Sequence, residues 1–136
     1  MADKKLHLKI LTHENVVFDA DVDEVYAVGE KGEFGILYNH IPFMSALKIG
    51  VTRAVSDGVV KKIATMGGVL QVKDNEVIIL TSIAEVDADI DAARAREARE
   101  RAETLLSSGR DDIDVKRAEI ALAKAIARLQ AVEKRF

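Results

Sequence analysis

Val115-Lys116-Arg117-Ala118-Glu119-Ile120-Ala121-Leu122-Ala123-Lys124-Ala125-Ile126-Ala127-Arg128-Leu129-Gln130-Ala131-Val132-Glu133-Lys134-Arg135-Phe136 closes the chain and decides how its second half is built. Apolar side chains recur at Val115, Ala118, Leu122, Ala125, Leu129, Val132 and Phe136 in steps of three and four, the period of an α-helix with one packed face. Arg117, Lys124, Arg128 and Arg135 form a second line about a quarter-turn from the first. The pattern predicts a helix that packs along one narrow face and offers cations to something acidic along another.

Upstream, Ala95, Ala98, Ala102 and Leu105 repeat the same period, with Asp87 or Asp89 available as N-cap. Ser107-Ser108-Gly109 stops that helix, glycine suiting the left-handed position that ends many helices, and Asp111 or Asp112 starts the next. The prediction for residues 87–136 is an antiparallel two-helix hairpin. Its contact stripe is mostly alanine, so at roughly 25 cal/mol per Å² of buried apolar surface it gains little compared with a Leu/Ile seam. Such a pair is either a tight, closely packed hairpin or one that opens readily. Opened, helices of about 20 residues reach roughly 30 Å each.

Before Asp87 the period is two. Leu6, Leu8 and Ile10 alternate with His7 and Lys9, and β-branched runs follow at 16–18, 22–28, 51–55, 59–66, 69–72 and 77–80. Asp57-Gly58 and Asp74-Asn75 are hairpin turns, because primed turns need residues that tolerate positive φ. Short strands with closely spaced turns predict an antiparallel β-sandwich for residues 1–86. Composition shifts at the same place: 9 Lys/Arg and 12 Asp/Glu stand before Asp87, and 11 of each after it in far fewer residues.

A net charge of −3 excludes a general nucleic-acid binder, which carries a basic excess over a whole domain. The absence of cysteine excludes a disulfide framework, a thiol nucleophile and a cysteine zinc finger. No stretch approaches the ~20 apolar residues that cross a bilayer, so membrane association is expected only through partners, without insertion. His7, His13 and His40 are scattered without partners at metal-ligand spacing, and no Ser-His-Asp arrangement can be assembled. Gly29, Gly32 and Gly35 match neither a Walker loop nor a dinucleotide fingerprint. No catalysis by this chain alone is expected.

One constellation points to a ligand. Asp91, Arg94 and Arg101 fall on nearly one face of the first helix, with Ala98 between them. Folding the hairpin brings Lys124 and Arg128 near, which makes a cationic cluster suited to a polyphosphate. The same residues also read as a solvated face laced with ion pairs such as Glu97 with Arg101.

Gly32-Glu33-Phe34-Gly35-Ile36-Leu37-Tyr38-Asn39-His40-Ile41-Pro42, Gly67-Gly68-Val69-Leu70-Gln71-Val72, Asp74-Asn75-Glu76-Val77 and Arg117 to Leu129 together resemble the epsilon subunit of F-type ATP synthases. Tyr38-Asn39 stands where that family commonly has Pro-Gly. The resemblance implies a noncatalytic rotor subunit of the central stalk, peripheral to the cytoplasmic face of a bacterial membrane. Its sandwich is expected to bind the gamma subunit and the c-ring, with Glu33 and His40 in the ring-facing loop region. Its helices are expected to inhibit ATP hydrolysis by reaching the alpha and beta subunits, with Arg117, Lys124, Arg128 and Arg135 against an acidic segment of beta. In some bacterial relatives the folded hairpin binds ATP as a regulatory ligand. The matching residues here are Glu85, Ile90, Asp91, Arg94, Ala95, Arg101, Lys124 and Arg128, lysine replacing the usual arginine at 124. The alternative is a stand-alone nucleotide-sensing module that uses the hairpin alone.

Overall fold

The structure, a computed structural model, describes residues 4–133. Its strands are β1 (Leu6–Leu11), β2 (Val16–Val22), β3 (Glu24–Gly29), β4 (Gly32–Ile36), β5 (Phe43–Ser56), β6 (Val59–Lys73), β7 (Glu76–Leu80) and β8 (Ala84–Val86). A 3₁₀ turn over Asp87–Asp89 leads to helices α1 (Ala92–Ser107) and α2 (Val115–Val132). Strand order is β2-β1-β7-β6-β5-β3-β4, with β8 added to the far half of β6. All ladders are antiparallel except β1 beside β7, which is parallel because the chain must cross the sandwich between them.

The long pair β5–β6 runs through both layers. Leu6, Leu8, Ile10, Leu70, Val72, Val77 and Ile79 of one layer meet Val25, Ala27, Ile36, Ala54 and Ile63 of the other in a single core. The inward residues of β6 change from the odd position Ile63 to the even positions Leu70 and Val72. That reversal of the pleat occurs across Gly67 and Gly68, at φ +79° and +119°. A Cβ on Gly68 would lie 2.0 Å from the Leu80 carbonyl oxygen, so only glycine fits. The reversal leaves Ala64 and Met66 pointing outward, where they form a second small core with Ala127 and Ala131 of α2.

Several sequence expectations are revised. The runs at 59–66 and 69–72 are one strand, because the glycine pair turns the pleat without ending the ladder. The run at 22–28 breaks at Asp23, whose carboxylate takes the Asp57 N–H at 2.8 Å and the Lys5 ammonium at 2.6 Å. β5 starts at Phe43 rather than Val51, and β4 and β8 add strands too short or glycine-rich to stand out by period. Asp57, Gly58, Asp74 and Asn75 all take positive φ, as the hairpin turns require.

Both helices start later than expected. Asp91 and Asp114 are the N-caps, accepting from the N–H groups of Arg94 and Arg117 at 3.1 Å each. Asp87 is spent on the 3₁₀ turn, bonding Ala88 N–H, and Asp112 is held by the fork of Arg110. Gly109, at φ +68°, ends α1 as the sequence indicated. Along α1, Ala95 and Ala102 are buried and Ala98, Arg99 and Leu106 half-buried, whereas Leu105 is exposed.

The packed surface of α2 is not one narrow stripe. Ala118 and Ala125 are buried on one side and Ala127 and Ala131 on the other, about 180° apart at 100° per residue. The helix is therefore an inner layer, with β5 and β6 on one side and α1 on the other. Arg117, Lys124 and Arg128 lie on its flank, between the two buried faces. Arg135 and Phe136 lie outside the described residues.

Candidate functional site

β8, the 3₁₀ turn, the first turns of α1 and the flank of α2 enclose a cavity of about 410 Å³. Its lining is Glu85, Asp89, Ile90, Asp91, Arg94, Ala95, Ala98, Arg101 and Arg128. Seven of the eight residues that the resemblance marks for ATP are in this wall; Lys124, half-buried one turn before Arg128, is not.

Each wall residue is placed by a local cause. β8 pairs with β6 through Ile63↔Val86, Ala64↔Glu85 and Thr65↔Ala84, which fixes Glu85 beside α2. The Glu85 carboxylate accepts from Arg128 Nε at 2.5 Å, both side chains being about 30% exposed. Ile90, extended at φ −95° and ψ 127°, separates the 3₁₀ turn from α1 and packs on the alanine core under α2. Asp91 caps the helix, and its carboxylate is committed to the Arg94 N–H. Small Ala95 and Ala98 leave the volume that larger residues would fill.

The wall holds three carboxylates and three guanidiniums. Glu85 neutralises Arg128, and Asp91 serves the α1 N-terminus. Among the described residues neither Arg94 nor Arg101 has an ion-pair partner, and both are exposed. Two unpaired guanidinium forks, Arg94 in the first turn of α1 and Arg101 two turns further on, favour an anion, and phosphate oxygens match their geometry. Asp89 is a wall residue that sequence reasoning considered only as a cap. No nucleophile with an adjacent base stands in the wall.

The sandwich presents a different surface. Val16, Leu11, Leu80, Val69 and Ala46 are successive register partners across five strands on the outward face. Val16, Leu80 and Val69 are 53%, 55% and 40% exposed, an apolar band that water does not favour. Nothing in the strand-by-strand period distinguished it, because the row exists only once register is fixed. At the β4–β5 connection Leu37, Tyr38 and Ile41 are exposed as well, and Met44 follows on β5. His40 lies there, its ring 5.6 Å from that of Phe43, which in turn meets Phe34 edge-on at 5.4 Å. Glu33 is not beside His40. It points to the opposite sheet face from its neighbour Phe34 and pairs with Arg53 at 2.6 Å.

His7 has acidic partners that sequence spacing did not reveal. Across the β1–β2 ladder its Nε2 lies 2.5 Å from Asp19 and its Nδ1 2.7 Å from Asp21. The hydrogen bond to Asp21, then that to Asp19, raises its pKa above the ordinary histidine value.

Residues 5–87 match the family model of the ATP synthase delta/epsilon chain β-sandwich domain, and residues 88–133 that of its long α-helix domain. The ATP synthase epsilon chain of Desulforamulus reducens is 45% identical over 130 residues, covering 96% of this chain and 98% of that protein. The ATP synthase epsilon chain of Bacillus velezensis is 42% identical, covering 93% of this chain and 96% of its own length. A chain in the cryo-EM structure of the Euglena gracilis mitochondrial ATP synthase, OSCP/F1/c-ring in rotational state 1, shares the fold with a TM-score of 0.81. It is 23% identical, and the match covers 94% of this chain and 81% of that one.

Proposed function

The chain belongs to the ATP synthase delta/epsilon family, and on that premise we propose that it works as a nucleotide-sensitive rotor subunit. It is an epsilon chain, a noncatalytic subunit of the synthase. The sandwich joins the central stalk and passes rotation between membrane ring and catalytic head. The apolar row Val16-Leu11-Leu80-Val69 supports docking of a partner such as the gamma subunit, since burying it there removes an exposed apolar band. The β4–β5 connection with His40 faces the c-ring, and Glu33 flanks that region through the sheet. The complex holds the chain at the cytoplasmic face of a bacterial membrane; among the described residues no helix is long and apolar enough to cross one.

The helices carry regulation. The cavity with two unpaired arginines is the observation that supports ATP binding: Arg94 and Arg101 take phosphate oxygens, Arg128 joins from its pair with Glu85, and Ala95 and Ala98 make room. Lys124 adds charge near the site without a guanidinium fork. ATP binding selects the docked hairpin, because the wall requires α1, α2 and β8 together. Without ATP the hairpin leaves the sheet and its basic flank, Arg117, Lys124 and Arg128, followed in sequence by Arg135, engages an acidic segment of the beta subunit, inhibiting hydrolysis. A stand-alone sensor would leave the apolar row of the sandwich unused.

The test is ATP hydrolysis by a catalytic head lacking this subunit, with the full chain added back over a range of ATP concentrations. Inhibition at low ATP that is relieved as ATP rises supports the reading. Relief should shift to higher ATP in Arg94→Ala and Arg101→Ala, and calorimetry of the isolated chain should lose its ATP heat in both. No heat from the unaltered chain at millimolar ATP would refute the ligand.

A further inference from the structure

We propose that Lys62, which lies outside the cavity, is the positioning residue that holds α2 docked on the sheet. It sits on β6, paired in register with Arg53, and its ammonium donates to the backbone carbonyls of Glu133 at 3.1 Å and Gln130 at 3.5 Å. These carbonyls lie at the C-terminal end of α2, where the helix carries partial negative charge, and that of Gln130 also accepts the Glu133 N–H at 3.3 Å. The helix has no basic residue in its own last turn. Among the described residues Lys62 brings a cation to this end from the sheet, and undocking removes it.

The contact acts alongside the Glu85–Arg128 pair, which ties the same helix to β8. Between α2 and the sheet the fully buried helix residues are Ala127 and Ala131, against Ala64 and Met66, with Ile49, Val51 and Ile90 partly buried around them. The same segment of β6 also holds β8, since Ile63, Ala64 and Thr65 pair with the strand that carries Glu85. Lys62 thus lies on the element that organises one wall of the cavity without touching it. This inference concerns docking and does not depend on what the cavity binds.

The chain has no cysteine, so a single introduced thiol reports undocking. Ala127→Cys, buried between α2 and the sheet, is reacted with a thiol reagent in the full chain, alone and with Lys62→Met, Lys62→Arg or Lys61→Met. Lys62→Met keeps the aliphatic stem and removes the charge; it should raise the labelling rate about fivefold, the scale of a cation at a helix C-terminus. Lys62→Arg should stay within about twofold of the parent. Lys61→Met, with the same change in net charge, should leave the rate unaltered. Labelling of Ala54→Cys in the sandwich core should not respond to any of them. An unchanged rate in Lys62→Met, an equal rise in Lys61→Met, or a parallel rise at Ala54→Cys would overturn the proposal. ATP calorimetry on the same proteins separates the two readings: absent heat with the expected labelling pattern removes the nucleotide and leaves the docking.

Discussion

The sandwich core and the layer beneath α2 are both closed to water, yet they are made of different side chains. The first interlocks Leu, Ile and Val from both sheets, whereas the second sets alanines against Ala64 and Met66. A buried leucine or isoleucine contributes about 1.5–3 kcal/mol and an alanine methyl far less. The difference teaches that the molecule has one permanent, strongly interlocked body and one more weakly held layer, joined along a single strand. β6 serves both because Gly67 and Gly68 reverse its pleat.

The strongest attack on this contrast is Leu8→Ala. It should cost about 2–5 kcal/mol and lower the urea midpoint of the sandwich and the helices together. A loss below about 1 kcal/mol would mean that the permanent body is not where stability resides. Ala127→Leu sharpens the other side. Its extra bulk has no space against Ala64 and Met66, so docking should weaken by about 1–3 kcal/mol. Hydrogen exchange should show lost protection on the sheet face of α2 while β1 and β7 stay protected. Protection lost everywhere would break the division. Next in size, Asp114→Ala removes the N-cap of α2 and should cost about 1 kcal/mol of helix stability, visible as reduced helical circular dichroism with the sandwich intact.

The smallest expected effect is within the permanent body. His7 is raised above its ordinary pKa by Asp21 and Asp19, so the fold favours its protonated form. That contribution is fully present below the unfolded value of about 6.5 and is lost as pH rises through the raised folded value. The β1–β2 edge should therefore weaken on the alkaline side, and His7→Gln should flatten the dependence. An unfolding midpoint with the same pH profile in both proteins would remove the histidine from the account.

How much of this was readable in advance follows from the range of each interaction. The helix periods, the turns at Asp57-Gly58 and Asp74-Asn75, and the stop at Gly109 are local and were legible. The N-caps were misplaced because Asp87, Asp89, Asp111 and Asp112 are equally good candidates by type. Their side-chain commitments, Asp87 to the 3₁₀ turn and Asp112 to Arg110, appear only in three dimensions. The grouping of Glu85 with Asp91, Arg94, Arg101 and Arg128 came from family resemblance; period placed only the helical residues on faces. Partners set by register were invisible: His7 with Asp19 and Asp21, Glu33 with Arg53, and the row Val16-Leu11-Leu80-Val69. The second buried face of α2 was hidden as well, since alanine at 127 and 131 reads as helix-forming filler until the sheet is seen beneath it.

The alanine lining has a consequence for solubility. A helix that leaves a bed of leucines exposes a continuous oily patch on both surfaces, which invites aggregation in a crowded cell. On the helix side the buried groups are the methyls of Ala127 and Ala131, and alanine has no rotamers to order or release. The sheet-facing side of α2 therefore carries less oil than a leucine stripe would, and it seats on the sheet without sorting side chains of its own.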